Sequence, residues 1–217
     1  MKLYAWGHAC VSLEDERACI VLDPGVWSDI VDVLARATAV MVTHDHADHL
    51  HVEQLRAVLQ ERPELHVWGP SSVRDALVGA GVATEQVHEL AAGDRIDLDG
   101  VEVTAVGGTH AVVHPDLPPA ANLGYLVAGI YHPGDCVLPP GVPIELLLTP
   151  VAGPWLLLAD AVDLVRAAAP QVVVPIHDAI LSSAGQELVD RVLGGLGGVP
   201  VTRLASGESL DLRDTAR

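Results

Sequence analysis

The chain is 217 residues long, 50% hydrophobic and 19% charged, which suits one compact domain with a sizeable buried core. Its 29 acidic against 12 basic side chains give a formal charge of -17, and Lys2 is the single lysine. Nucleic-acid binding is excluded: a phosphate backbone calls for clustered cations, bases call for aromatic platforms, and aromatics here reach only 3% with no phenylalanine.

The first ten residues place Trp6, Gly7 and His8 where a secretory leader needs an unbroken apolar run. The most apolar later segment, 142–159, is broken by Pro143, Glu145, Pro150 and Pro154, so no membrane span is expected. Cys10, Cys19 and Cys136 form no CxxC pair and no disulfide framework, which fits a reducing cytoplasm. Strand-like runs at 3–6, 10–13 and 18–22 predict an antiparallel meander, closed by the turn Asp23-Pro24-Gly25. Arg36 lies in a helix-like stretch before the apolar run 39–42. Val52, Leu55, Val58 and Leu59 recur at helical spacing until Pro63, and 71–79 reads as a further helix. Residues 101–106 alternate as a strand, 123–131 as two strands meeting near Gly129, and 144–148 as another. A helix is predicted over 161–169 with Asp160 as N-cap and Pro170 as its stop. The apolar run 171–176 suits a strand buried on both faces, 114–119 a Pro-rich loop, and 194–198 a glycine-rich turn from helix to strand.

Residues 43 to 49 read Thr-His-Asp-His-Ala-Asp-His, directly after the run 39–42. Imidazole and carboxylate are preferred ligands of first-row divalent metals, and this density of them behind a strand predicts half of a two-metal hydrolytic site. Asp23, His44, Asp135 and His177 each follow a strand-like run. Layered α/β proteins assemble their sites on loops leaving such strand ends, so these groups are expected to converge at one edge.

The motif His44 to His49, the later His110, Asp135 in a Gly-Asp pair and His177 behind a strand together resemble the metallo-β-lactamase superfamily. Within it, Trp6-Gly7-His8-Ala9, Leu22-Asp23-Pro24 and Val174-Pro175-Ile176-His177 are similar to the ascorbate-6-phosphate lactonase-like group. The resemblance implies a four-layer αββα sandwich, here one metallo-hydrolase domain over 1–217, with the metal site at one edge. It implies two divalent ions: one held by His44, His46 and His110, the other by Asp48, His49 and His177, with Asp135 bridging. His114, four residues beyond His110, is the alternative third ligand. The N/O set suits zinc, with manganese or iron as alternatives. Two dications against Asp48 and Asp135 leave about two positive charges within an acidic chain.

The expected reaction is attack by metal-bound hydroxide, with Asp48 orienting or deprotonating the nucleophile and His8 protonating the leaving group. Asp23 reads as a carboxylate that orients a ligand histidine, His51, His66, His88 and His132 as structural or surface residues, and Cys136 as a buried thiol. The loops 23–51, 110–122 and 150–160 hold one cation, Arg36, and Trp155-Leu156-Leu157-Leu158 replaces a polar segment of the similar group. An anionic substrate would call for Arg or Lys beside the metals, so a small uncharged ester, lactone or amide is expected. The alternatives are a phosphodiesterase of the same fold and a metal-binding or sensing protein that keeps the ligands without catalysis. Expected partners are a small-molecule substrate, neither nucleic acid nor membrane, and a second copy of the chain packed against apolar residues such as Trp155 and Leu156.

Overall fold

The computed structural model describes residues 1–212. Strands β1 (Lys2–Ala5), β2 (Val11–Glu14) and β3 (Cys19–Leu22) pair antiparallel as a meander. Helix α1 (Val31–Arg36) leads to β4 (Ala39–Met41), which lies parallel to β3. Helix α2 (Val52–Glu61), β5 (Val67–Gly69), α3 (Ser71–Gly79) and β6 (Val87–Glu89) follow, each new strand adding parallel at the margin.

A second sheet begins with the antiparallel run β7 (Arg95–Leu98), β8 (Val101–Gly107), β9 (Leu123–Val127) and β10 (Ile130–His132). Between β9 and β10, Ala128 and Gly129 both take positive φ (48° and 79°), the backbone of a two-residue hairpin turn matched to strand twist. Strands β11 (Leu146–Pro150) and β12 (Val172–Ile176) join in parallel around helix α4 (Leu158–Ala168). Helix α5 (Ser183–Gly197) then returns the chain to β13 (Ser209–Asp211), which pairs with β1 at the margin of the first sheet.

Side-chain alternation fixes the layering. In β3, Ile20 and Leu22 face a core shared with Tyr125, Leu146 and Val174 of the other sheet, while Cys19 and Val21 face Leu34, Leu55 and Leu77 on the outer helices. In β12, Val172, Val174 and Ile176 point between the sheets and Val173 points to Leu164, Val189 and Leu193 of α4 and α5. Strands covered on both faces must be apolar throughout, which is why 171–176 reads as an unbroken run. The result is the expected αββα sandwich.

Three boundaries differ from the sequence reading. The strand predicted over 144–148 is shifted to Leu146–Pro150, because its partner β12 fixes the register from Leu146↔Val172 to Pro150↔Ile176. Asp160 sits in the first turn of α4 rather than capping it, placing its charge against the positive end of the helix, and Leu157 holds the N-cap position. Of the glycines in 194–198, only Gly198 leaves the helix, capping it in left-handed conformation (φ 75°), and the others do not form a turn. Helix α5 continues through Gly197 because Val189 and Leu193 bury its inner face, and a Cβ at Gly197 would lie 2.9 Å from Val165, so glycine permits the close approach of α4. Among the described residues no helix is long and apolar enough to cross a membrane.

Candidate metal centre

One edge of the sandwich collects chain from both sheets. His8 lies in the turn between β1 and β2, Asp23 follows β3, the loop from Thr43 to His49 follows β4, His110 follows β8, Asp135 follows β10 and His177 follows β12. His8, Asp23 and His177 all have left-handed backbone (φ 50°, 51° and 59°), which is costly for side chains of this kind and persists only where neighbours over-determine it. Gly25 shows how tightly the edge is packed: a Cβ there would lie 1.8 Å from the Asp48 carbonyl oxygen. A Cβ at Gly134 would lie 2.3 Å from Asn122 Oδ1 and 2.7 Å from Thr43 Cβ, so the residue before Asp135 must be glycine.

The histidine protons are assigned by what stands behind each ring. Asp23 is fully buried and accepts from the Thr43 amide (2.7 Å) and the Thr43 hydroxyl (2.8 Å), and it faces His49 Nδ1 at 2.6 Å. Having donated to Asp23, the Thr43 hydroxyl is left to accept from His44 Nδ1 at 2.9 Å. His110 Nδ1 donates to the Ala111 carbonyl and His177 Nδ1 to the Ala152 carbonyl. Each of these four rings therefore carries its outward proton on Nδ1 and turns its Nε2 inward, the arrangement in which partners behind a ring prepare it to bind a metal.

The inward atoms form two groups joined by one carboxylate. His44 Nε2 lies 3.1 Å from His46 Nδ1, and Asp135 Oδ2 lies 3.1 Å from His110 Nε2 and 3.8 Å from His44 Nε2. The other oxygen, Asp135 Oδ1, lies 3.0 Å from His49 Nε2 and 3.3 Å from His177 Nε2, while Asp48 Oδ2 lies 3.3 Å from His177 Nε2. His44, His46, His110 and Asp135 offer atoms that all fall within 4.8 Å of one another, and so do His8, Asp48, His49 and His177. His49 Nε2, Asp135 Oδ1 and His177 Nε2 are buried without a hydrogen-bond partner. Buried polar atoms are normally paired, and ring nitrogens turned inward beside carboxylate oxygens are what a divalent cation would satisfy, so the residues present fit metal ions. His114 is exposed and packs on its own turn, accepting from the Asp116 amide, so His110 rather than His114 joins the cluster.

Charge follows from the same contacts. Burial strips water from all these groups and at His44 it wins, driving the imidazole well below its ordinary pKa. At His49 burial also works downward, but Asp23 and Asp135 outweigh it and lift the ring to about 10. At His177 burial also works downward, and the Asp135 and Asp48 carboxylates beside Nε2 overcome it and lift the ring to about 9. Burial pushes Asp23, Asp48 and Asp135 upward, and the neighbouring imidazoles reverse that and hold all three below the usual carboxylate range. A cation entering the cluster must displace these imidazole protons.

His8 differs from the other rings. Its Nδ1 accepts from the Ala179 amide at 3.3 Å, which puts the ring proton on Nε2, 3.2 Å from Asp48 Oδ2. It stands among the second group of atoms as a donor to Asp48 rather than as a lone pair. His51 caps α2 by accepting from the Gln54 amide, and His132 is buried between the Ala9 carbonyl and the Gly134 amide. The Cys136 thiol is buried. The sequence reading missed Thr43 and Asn122. Asn122 Oδ1 accepts from the Asp135 amide at 3.0 Å, and a buried amide beside an apolar strand was the available signal.

Two stacked sheets with helices outside, and an edge crowded with imidazole and carboxylate, define the class as a metal-dependent hydrolase of the metallo-β-lactamase fold. The family described as the β-lactamase superfamily domain matches residues 2–177, and the chain belongs to this superfamily. It is 36% identical over 188 residues to Protein Rv0786c of Mycobacterium tuberculosis, spanning 84% of this chain and 86% of that protein. A UPF0173 metal-dependent hydrolase of Methanocaldococcus jannaschii is 24% identical, spanning 79% and 82%. In fold, the chain is similar to Igni18, a metallo hydrolase from Ignicoccus hospitalis, with a TM-score of 0.73 at 20% identity over 96% of this chain and 97% of that one.

Proposed function

We propose that this chain hydrolyses small uncharged esters, lactones or amides at a two-cation centre. The observation that carries the substrate class is the wall of the cavity over the cluster. That cavity, about 370 Å³, is bordered by Val26, Trp27, Val113, Trp155 and Ile180 above Asp48, Asp135 and His177, with no lysine or arginine. Phosphate and carboxylate substrates are normally gripped by such cations, so an apolar wall favours a neutral substrate over a phosphodiester or a phosphosugar. The likeness of the segments around His8, Asp23 and His177 to the ascorbate-6-phosphate lactonase-like group supports including lactones, without its phosphate.

His44, His46 and His110 would hold one cation with Asp135 Oδ2, and Asp48, His49 and His177 the other with Asp135 Oδ1. No thiolate takes part, which suits zinc, manganese or iron. Bound divalent cations supply an acidified water and an electrophile for the carbonyl oxygen. Asp48 borders the cavity and orients the attacking water through its carboxylate. The His8 side chain is fully buried behind Asp48 and donates its Nε2 proton in a hydrogen bond to Asp48 Oδ2, so it positions this carboxylate, and the proton that Asp48 takes from the attacking water is the one passed to the leaving group. Trp155 stands edge-on to the His110 and His177 rings at 5.7 and 5.6 Å and limits water on that side.

The test is a panel of neutral esters, lactones and amides beside phosphodiesters and phosphosugars, run on protein loaded separately with zinc, manganese and iron, with bound metal counted by elemental mass spectrometry. Two ions per chain and turnover of neutral carbonyl substrates are expected. Turnover of phosphorylated sugars alone would overturn the substrate class, and one tightly held ion without turnover of any substrate would mark a binding protein.

A further inference from the structure

The loop between β8 and β9 builds a second hollow that the metal cluster does not need. A groove of about 510 Å³ runs along Ala111, Val112, Val113, Leu117 and Pro118, and it shares His46, His110 and Val113 with the cavity over the cluster. The two hollows therefore meet at a pair of candidate metal ligands, with Val113 on the border between them.

The loop is built for shape. Val112 is 69% exposed, Leu117 56% and Val113 39%. Neighbouring exposed apolar side chains beside a reactive site mark a surface that something apolar covers. Pro115, Pro118 and Pro119 bring no amide protons to this wall and hold its backbone angles, so the groove is low in polar groups and preformed. Its ends are pinned: the His110 amide donates to the Ala120 carbonyl (3.0 Å) and the Ala111 amide to the Asp135 carbonyl (2.8 Å). At the tip the Leu117 amide donates to the His114 carbonyl at 3.0 Å. No lysine or arginine lines either hollow, and beyond the shared His46 and His110 the groove's one titratable side chain is His114, whose Nδ1 already accepts from the Asp116 amide.

We infer that the groove is a subsite for the acyl chain of the substrate, so that the preferred substrates are medium-chain acyl esters and lactones. This rests on the ester and lactone reading of the cluster. With the reacting carbonyl over the ligands, its hydrocarbon passes Val113 and lies against Val112, Leu117 and Pro118.

The experiment is a series of p-nitrophenyl esters from acetate to decanoate, measured on metal-loaded protein. A methylene moved from water into an apolar groove should raise kcat/KM by about two- to fourfold until the groove is filled. Val113→Asp and Leu117→Asp place a carboxylate in the groove and should lower the ratio of octanoate to acetate turnover by about tenfold or more. Both side chains are exposed, so folding should survive, and circular dichroism with the count of bound metal checks this. A flat series in the unaltered protein, or two folded variants that keep its slope, would overturn the subsite. If no ester at all is hydrolysed, the carbonyl chemistry fails separately, and binding of octan-2-one against acetone, followed by tryptophan fluorescence, decides the groove. Tighter binding of the longer ketone that Leu117→Asp abolishes supports it, and equal binding overturns it.

Discussion

The loop behind β4 and the loop behind β8 border the same cavity and are held in opposite ways. In the first, Thr43, His44 and His49 are fully buried, and Asp23 joins the backbone of Thr43, its hydroxyl and the His49 ring through contacts of 2.6 to 2.8 Å. In the second, residues 112–119 are exposed and the loop is tied by backbone bonds at its ends and tip. A cation demands donor atoms at fixed positions, which a buried polar network supplies and which fails if one member is lost. A hydrocarbon demands only shape, so its loop can change side chains without disturbing the chemistry. Substrate preference is therefore free to drift on one loop while the other stays constrained.

The largest effect should come from His46→Ala. His46 is the exposed member of the first group, so its loss should leave the fold intact while removing a ligand. Removing a group that merely supports a ligand costs about 10- to 100-fold in metal affinity or activity, and a ligand itself should cost more than about a hundredfold. Elemental analysis should show less bound metal. Full metal content with full turnover would break the assignment.

Asp23→Asn should come next and separates charge from backbone. Asparagine tolerates the left-handed conformation that Asp23 adopts, so the backbone should hold while the anionic partner of His49 is lost. Metal affinity should fall about 10- to 100-fold, measured by competition with a chelator. Unchanged affinity would mean that the rigidity of the first loop comes from packing against Gly25 and not from the carboxylate.

How much of this was legible in the sequence follows the same division. The candidate ligands of residues 44–49 declare themselves because their chemistry is local, and β12 declares itself because burial on both faces leaves it wholly apolar. The strands at the sheet margins, such as β6 and β7, are three or four residues long, and exposed Arg95 and Asp97 blur the alternation in β7. Strand β13 pairs with β1 across almost the whole chain, and no local pattern announces it. The Asp23 carboxylate could be read as supporting a ligand histidine, but that it serves His49 and Thr43 depends on how β3 and β4 lie side by side. The proton position on His8 depends on the Ala179 amide, 171 residues away.

That last contact leads to the smallest expected effect. Arg203 pairs with Asp178 through Nη1 and grips Asp190 of α5 with two further hydrogen bonds of 2.8 and 2.7 Å. Asp178 directly follows His177, and the next amide, that of Ala179, sets the tautomer of His8. Arg203 lies beyond the matched span 2–177, so the segment after residue 177 helps to position the cluster through one partly buried ion pair. Such a pair contributes about 0.5 to 1 kcal/mol. At about 1.4 kcal/mol per tenfold in rate, Arg203→Ala should lower kcat by about two- to fivefold. Bound metal should be unchanged, because Ala152 rather than Asp178 supports the His177 ring. Arg203→Lys keeps a charge for Asp178 but not the fork on Asp190, and should recover part of the loss. A fall in metal content matching that of His46→Ala would show that the segment holds the ligands themselves, and an unchanged kcat would show that the His8 tautomer is fixed without it.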